Sequence, residues 1–226
     1  MDKEIRRIEG LGVEIRLNTR IDDVGSLKPD FDAVVLACGQ NQGKTLPLFE
    51  GKRFAKTAVD FLHEVKRRKG KVKVPENVLV IGGGDVAMDT ITIVKRLGAK
   101  YVTDVVYETF DEFKASKKEL EGARQENVSI IDGYVPVAVK GKKVVFQHRF
   151  LPAKLEIKAD LVIMAVGQKA EYLGVNIMSS QEVTTELPVW LFACGDIAPG
   201  GEKTVVYAVK GGKETAAKVA AFLGGK

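Results

Sequence analysis

Three small residues at the end of an apolar run have the spacing of a phosphate-binding turn. Gly82, Gly84 and Ala87 satisfy the pattern G-x-G-x-x-G/A. In this pattern the first residue allows a tight turn, the second lets the backbone approach a pyrophosphate, and the third keeps helix and strand close. The N–H groups at the start of the following helix carry a partial positive charge that suits phosphate. The spacing therefore predicts a dinucleotide site, and the alternative is a purely structural turn. The predicted site is formed by Gly82, Gly83, Gly84, Asp85, Val86 and Ala87.

The elements around this turn predict one strand–turn–helix–strand unit. The apolar residues 78–81 favour a buried parallel strand, because such strands are covered on both faces. A helix is predicted over residues 85–97, with Gly98 as its C-terminal stop. A second strand is predicted over residues 101–107. It leads to Glu108, about 20 residues past the glycines, where an acidic side chain accepts hydrogen bonds from an adenosine ribose.

Glu108 also bears on which nicotinamide nucleotide the site takes. A carboxylate at this position repels a 2′-phosphate, so NAD is favoured over NADP. Three nearby cations, Lys114, Lys117 and Lys118, keep NADP open as the alternative because they could still accommodate that phosphate.

Composition limits the remaining classes of protein. The chain has 226 residues, of which 45% are hydrophobic and 29% charged, and this is typical of a globular protein. No apolar run reaches the length of a membrane span and the N-terminus is charged, so we expect a cytoplasmic protein with no membrane partner. The two cysteines, Cys38 and Cys194, are too far apart for a local metal or redox motif. The net charge of +5 is spread without interleaved aromatic residues, so no nucleic-acid partner is expected.

The rest of the chain alternates strands and helices. Helices are predicted over residues 3–9 and 58–69, a strand over residues 13–17 and a loop over residues 40–56. A helix over residues 112–126 precedes a strand over residues 128–131. A hairpin over residues 134–150 with a third strand at 155–158 predicts a small antiparallel meander. A final helix over residues 204–222 has a pattern interrupted at Gly211 and Gly212.

Three apolar strands end in Ala-x-Gly, at Gly39, Gly167 and Gly195. In an open parallel sheet, ligands lie beyond the carboxyl ends of the strands, where small residues allow close approach. Asp196 follows the third of these glycines and either accepts a hydrogen bond from a sugar or ribityl hydroxyl or caps the next segment. The helix that begins near Thr204 could direct its N-terminus at an electron-rich ring.

These features together resemble the flavoprotein oxidoreductases with two dinucleotide-binding domains. Within them, the chain is most similar to the group of the glutamate synthase small subunit and the flavin–nicotinamide module of dihydropyrimidine dehydrogenase. The resemblance rests on residues 82–89, 60–62, 31–39, 160–168 and 192–196. It implies that Asp196 contacts the ribityl–pyrophosphate region of FAD, and that the helix from Thr204 points at the flavin. It also implies that Asp89 lies near the nicotinamide, although an acidic residue early in a helix is favoured by the dipole in any case.

Two departures from the family pattern shape the expected organisation. Family members carry an earlier G-x-G-x-x-G in the FAD domain, which is not in this sequence. We therefore expect weak or absent FAD binding by this chain alone and an α/β fold in which a Rossmann-like domain is inserted in an incomplete FAD-type domain. The predicted domains are residues 75–166 for NAD(P) and residues 1–74 and 167–226 for the FAD-type pieces. Second, Glu108 and Thr109 stand where glutamate-synthase-type members have arginines that grip a 2′-phosphate, which weakens an NADPH assignment.

The resemblance predicts an NAD(P)H-dependent oxidoreductase portion. In the complete protein, NAD(P)H would give a hydride to FAD, and electrons would pass to an iron–sulfur or large-subunit partner. No acid–base pair is needed, because the cofactors carry the chemistry and the protein orients them. The alternative is a module that binds nicotinamide nucleotide, or serves as an interaction domain, without turnover of its own.

Overall fold

Two compact units make up the chain. The computed structural model describes residues 2–113, 115–178, 181–184, 186–200 and 202–225. Residues Gln40–Glu171 form one unit, here called the central unit, and Met1–Gly39 with Tyr172–Lys226 form the other, the flanking unit. The domain bounds predicted at 74/75 and 166/167 stay a prediction.

The described residues alternate helices and strands as an α/β protein does. The helices are α1 (Asp2–Glu9), α2 (Ala58–Arg67), α3 (Asp85–Arg96), α4 (Lys117–Gln125) and α5 (Val205–Gly224), with short 3₁₀ turns at Val24–Leu27, Pro47–Phe49, Phe110–Glu112 and Gly195–Ile197. The strands are β1 (Val34–Leu36), β2 (Gln42–Gly43), β3 (Ala55–Thr57), β4 (Asn77–Ile81), β5 (Tyr101–Val105), β6 (Ser129–Ile131), β7 (Tyr134–Lys140), β8 (Lys143–His148), β9 (Lys154–Lys158), β10 (Leu161–Met164), β11 (Gln168–Lys169) and β12 (Leu191–Ala193).

A five-stranded sheet organises the central unit. Its strand order is β3-β10-β4-β5-β6, and every neighbouring pair is parallel. The chain leaves β4 through α3 to β5 on one side, while β10 pairs with β4 on the other. Because parallel strands end at the same edge, the residues after β4, β5 and β10 come together there. This edge is the topological switch point at which open α/β sheets bind ligands.

Both faces of this sheet are covered, which explains why β4 and β10 are continuously apolar. Val78 and Val80 of β4 pack in one core with residues of α2, α3 and α4. Leu79 and Ile81 pack in a second core with Phe146 of β8 on the opposite face. Each fully buried side chain of this kind stabilises the fold by roughly 1.5–3 kcal/mol. The sheet therefore lies between a helical layer and the antiparallel strands.

The antiparallel layer confirms the predicted meander. Strand β8 pairs with both β7 and β9. Gly141 takes the turn between β7 and β8 with φ of 60°, a conformation that glycine adopts without strain. A register shift between Pro136 and Ala138 interrupts the first pairing, as expected where proline removes a ladder donor.

Two local predictions in the first 57 residues were wrong. Residues 13–17 alternate like a strand, but Val13, Ile15 and Leu17 are exposed and no strand forms there. Residues 40–56, predicted as a loop, contain β2, a 3₁₀ turn and the start of β3. Strand β3 has no apolar run of its own and forms because it pairs with β10 as an edge strand. Pairing with a distant strand, which local patterns do not encode, decides both cases.

Helix α5 in the flanking unit is continuous through its two central glycines. The single helix predicted over residues 204–222 is therefore confirmed, although the two glycines interrupt its apolar pattern. A Cβ on Gly211 would lie 3.6 Å from the backbone nitrogen of Gly195 and 3.9 Å from Cβ of Cys194. Thr215, one turn later, donates a hydrogen bond to the carbonyl oxygen of Ala193. A Cβ at these distances would make ordinary van der Waals contact, so the packing does not require glycine there, and the Thr215 hydrogen bond joins the helix to the end of β12.

One carboxyl group lies in the helical core of the central unit. Asp104 of β5 is fully buried, and neither of its oxygens has a hydrogen-bond partner within the described part of the chain. Strand alternation puts it on the same face as Val102, which packs in the core with the helices. Burial raises the pKa of Asp104 well above its usual value. The backbone N–H of Val105 offsets only part of this rise, since its geometry is not that of a hydrogen bond.

Candidate functional site

The predicted phosphate-binding turn connects β4 to α3. Gly82 has φ of 151°, and a Cβ there would overlap the carbonyl oxygen of Ala165. A Cβ on Gly83 would overlap the side chain of Val106. A Cβ on Gly84, in contrast, would meet no atom within 4 Å. The first two glycines are therefore required by packing, while the third leaves open space beside the backbone.

The same turn opens α3 without a side-chain cap. Gly84 is the N-cap residue and offers no side chain to the N–H groups of the first turn. These groups are orphan donors in any helix, and they carry the positive end of the helix dipole. Ala87, the third small residue of the pattern, is fully buried against the sheet in the helical core. The helix is thus held close to β4, with its N-terminus at the open space beside Gly84.

A cavity of about 530 Å³ lies at the carboxyl edge of the central sheet. The ends of β4, β5 and β10 with the start of α3 provide most of its wall. Its lining includes six of the predicted site residues: Gly82, Gly83, Gly84, Asp85, Val86 and Glu108. Gly167, which follows β10, is a seventh predicted residue that lines the cavity. A volume in this range is typical of pockets for small molecules and cofactors.

Glu108 faces the glycine turn from the neighbouring strand end. One of its carboxylate oxygens, Oε2, lies 3.2 Å from the position that a Cβ on Gly83 would take. Its carbonyl oxygen accepts a hydrogen bond from the backbone N–H of Gly133, which ties the loop after β5 to the chain before β7. The carboxylate therefore lies close to the glycine turn, and both line the cavity.

The two aspartates of α3 have different positions. Asp85 lines the cavity, and its carboxylate accepts a hydrogen bond of 2.7 Å from the backbone N–H of Ser116. The carbonyl oxygen of Gly83 accepts another from Ala115, so the segment before α4 is attached to the turn. Asp89 is exposed on α3 and does not line the cavity. The structure therefore does not bring Asp89 into the cavity wall with the other predicted residues of the central unit.

The remaining predicted residues lie in the flanking unit. Strands β1 and β12 pair there in parallel, so that a Cβ on Gly39 would lie 4.0 Å from Cβ of Asp196. Thr204 is the N-cap of α5, and its hydroxyl accepts a hydrogen bond from the N–H of Tyr207. Gly195 lines a cavity of about 290 Å³ together with residues of α5. Two of the three Ala-x-Gly strand ends thus meet in this unit, while the third lies in the central unit.

Sequence reasoning missed a cation beside the cavity. Arg149 directly follows β8, and its guanidinium carbon lies 3.9 Å from the centroid of the Tyr107 ring, a residue of the cavity wall. Nη1 of Arg149 donates to the carbonyl oxygen of Tyr107 at 3.0 Å and to Oε2 of Glu112 at 3.2 Å. No sequence signal identifies this arginine, because strand pairing alone brings it to the loop after β5. Of the lysines named above as the NADP alternative, Lys114 lies outside the described residues.

Within the described ranges the chain has neither a metal-binding cluster nor a membrane-spanning helix. No group of three or more His, Cys, Asp or Glu side chains there is arranged to hold a metal ion. No helix in these ranges combines the length and the apolar character that a membrane crossing requires.

The role of Gly82 can be tested through stability. Gly82→Ala is expected to lower the free energy of unfolding by about 3 kcal/mol, since the side chain would overlap Ala165 in a backbone conformation that strains it. Urea unfolding followed by circular dichroism measures the change. Gly122→Ala, in open space on α4, is the control and should not destabilise the protein. Equal stability of Gly82→Ala and wild type would contradict the close approach seen here.

Comparison with known proteins shows the family to which this chain is similar. A family model for pyridine nucleotide-disulphide oxidoreductase matches residues 4–212. The NAD-dependent dihydropyrimidine dehydrogenase subunit PreT of Escherichia coli K12 is 44% identical, over 100% of this chain and 56% of that protein. The NADPH glutamate synthase small chain of the same organism is 27% identical, over 94% of this chain and 57% of that protein. The chain therefore spans about half the length of the curated relatives it matches.

A solved structure supports the same fold. Thioredoxin reductase of Lactococcus lactis superposes with a TM-score of 0.69 at 22% sequence identity, over 86% of this chain and 67% of that one. Together with the strand order of the central sheet, this likeness confirms the predicted α/β dinucleotide-binding architecture.

Proposed function

The chain belongs to the pyridine nucleotide-disulphide oxidoreductase family, and from this membership we propose that its central unit binds NAD(H) for a flavoprotein oxidoreductase. In the complete protein the bound nucleotide would reduce FAD. The cavity beyond β4 and the acidic residue beside it support this proposal, as do relatives that are named as NAD- or NADPH-dependent enzymes.

One observation carries the proposal: the open space beside Gly84 at the uncapped N-terminus of α3. A pyrophosphate placed there would accept hydrogen bonds from the backbone N–H groups of the turn and the first helical residues. No side chain competes for this space, whereas a Cβ on either preceding glycine would overlap its surroundings. The residues present therefore fit a dinucleotide. We assign Gly82, Gly83, Gly84, Asp85, Val86, Ala87 and Gly167 to its phosphates and their close surroundings.

We assign Glu108 to the adenosine ribose. Its carboxylate faces the glycine turn, so it could accept hydrogen bonds from the 2′- and 3′-hydroxyl groups of NAD. The same negative charge would repel a 2′-phosphate, which favours NAD over NADP. The name of the PreT relative as an NAD-dependent enzyme is consistent with this preference. For the nicotinamide end of the nucleotide we propose Asp89, which has weaker support than the other residues because it lies outside the cavity wall.

FAD is part of the proposal for the complete protein. We assign Gly195, Asp196 and Thr204 of the flanking unit to its binding, supported by the parallel strand ends and the cavity at the base of α5. When bound, a flavin would accept a hydride and pass its electrons on. The residues of this chain would bind and orient the two cofactors.

A partner subunit and a location complete the proposal. Relatives carry the words subunit and small chain in their names, which supports a larger assembly here as well. We propose that the electrons leave to an iron–sulfur or large-subunit partner. Because nicotinamide nucleotides are metabolites of the cell interior, we propose a cytoplasmic location.

Titration of the purified chain with NADH tests the proposal. Quenching of protein fluorescence or a change in NADH fluorescence should saturate with a Kd between about 1 µM and 1 mM, the range in which enzymes hold such substrates. Absence of saturable binding would overturn the proposed function. Reduction of a dye by NADH in the presence of FAD would support turnover by the chain itself, whereas binding without dye reduction would favour the binding module as its role.

A further inference from the structure

Arg149 is held in a fixed position beside the adenosine end of the proposed nucleotide site. Its side chain is 19% exposed, and it lies against the Tyr107 ring while donating to the carbonyl oxygen of that residue. The backbone N–H of Arg149 also donates to the carbonyl oxygen of Gly133, and the N–H of Gly133 donates to that of Glu108. A short chain of hydrogen bonds thus connects the arginine to the residue assigned to the ribose.

Glu112 also binds this arginine. Its Oε2 accepts from Nη1 of Arg149 at 3.2 Å and from the backbone N–H of Thr109 at 3.2 Å. The second contact belongs to a capping box that closes the 3₁₀ turn at Phe110–Glu112. The hydrogen bond from Thr109, and after it that from Arg149, lower the pKa of Glu112, so the carboxylate is ionised at neutral pH. A fixed anion therefore lies on a cation that contacts Tyr107 of the cavity wall.

The consequence concerns the 2′ position of the ribose. A 2′-phosphate carries close to two negative charges and is bound in proteins chiefly by arginine. We propose that Glu112 is a specificity-determining residue, which withholds Arg149 from a 2′-phosphate and so keeps the site selective for the 2′-hydroxyl of NAD. This inference rests on the proposed nucleotide site. It adds a second anion, acting through Arg149, to the direct repulsion by Glu108.

Glu112→Gln is the variant that tests the inference. Glutamine can replace glutamate in a capping box, so the turn should persist while the negative charge is lost. We expect NADPH to bind at least about 10-fold more tightly than to wild type, as one charge-assisted hydrogen bond to the phosphate is gained. NADH binding should change by less than about 3-fold, because a hydroxyl gains no such bond. Competition by 2′,5′-ADP and by 5′-AMP should show the same contrast and reports on the adenosine end alone.

Two further variants keep the test specific. Glu121→Gln removes the same charge from an exposed position on α4 and should leave both affinities unchanged. Combining Glu112→Gln with Arg149→Met should abolish the gain for NADPH. An equal gain in Glu121→Gln, no gain in Glu112→Gln, or a gain that survives the loss of Arg149 would each overturn the inference alone. If wild type bound neither nucleotide, the proposed function would fall, and the inference with it.

Discussion

Gly84→Thr should weaken NADH binding about 100-fold or more without destabilising the fold. Gly84 is the N-cap of α3 with φ of −102° and ψ of 176°, an extended conformation that threonine adopts readily. Threonine is also a good N-cap residue, so the stability of the helix should not fall. Its side chain would occupy the open space beside the turn, and its hydroxyl would accept hydrogen bonds from the N–H groups that we propose bind the pyrophosphate. Loss of two charge-assisted hydrogen bonds, roughly 3 kcal/mol, corresponds to about this factor.

Fluorescence titration with NADH, together with urea unfolding of each variant, checks this result. Gly122→Thr is the matched control: a Cβ at Gly122 also meets no atom within 4 Å, but that glycine lies on α4 away from the cavity wall. Its NADH affinity should equal that of wild type. Normal NADH binding by Gly84→Thr would show that the nucleotide does not use this turn, and the proposed function would have to be abandoned.

Asp104→Val should stabilise the protein at neutral pH by about 2 kcal/mol or more. The wild-type carboxyl is fully buried without a hydrogen-bond partner in the described residues, and leaving such a group unsatisfied costs about 1–3 kcal/mol. Valine removes that cost and suits a buried strand position. Urea unfolding of wild type and variant at matched pH gives the difference. A less stable valine variant would show that the carboxyl is satisfied in solution.

The pH dependence of the stability difference between wild type and Asp104→Val identifies the carboxyl group as the cause of that difference. Because burial raises the pKa of Asp104 in the folded state, the folded protein keeps a proton that the unfolded chain releases above about pH 4. The contribution of Asp104 to stability is therefore fully present below that pH, and it is lost as the pH rises toward the raised pKa. The advantage of Asp104→Val should grow with pH by up to about 1.4 kcal/mol per unit. Asp104→Asn should also abolish this pH dependence and recover the loss that grows with pH, but it should gain less than Asp104→Val because its amide stays buried without partners.

The strand–turn–helix–strand unit around the glycines was predictable because its signals are contiguous. The helix predicted over residues 85–97 is α3 at Asp85–Arg96, and the strand predicted over 78–81 is β4 at Asn77–Ile81. The spacing of the glycines and the apolar period of the helix are both patterns within a few residues, although the steric need for Gly82 and Gly83 comes from Ala165 and Val106 farther along the chain. The meander was predictable for the same reason, since alternation and a glycine turn specify a hairpin locally. The residue set assigned to the nucleotide follows largely from this local chemistry.

The pairing of distant segments was not predictable in this way. Edge strand β3 exists because β10, more than 100 residues later, offers it a hydrogen-bonding partner. The burial of Asp104 depends on helices that cover its strand, and a single aspartate in an apolar run does not reveal them. Residues 13–17 show the converse, since their alternation is that of a strand but they pair with none of the strands in the described part of the chain.

The sequence by itself thus determined the glycine turn, the acid after the next strand and the family, because each depends on neighbouring residues and their spacing. Only the tertiary structure decided which glycine leaves room for a ligand, and that Arg149 and Glu112 meet beside the cavity. Such facts depend on how β8, the loop after β5 and the ends of β4 and β10 pack together. Packing is a property of contacts between residues far apart in the chain, and for that reason no local pattern contains it.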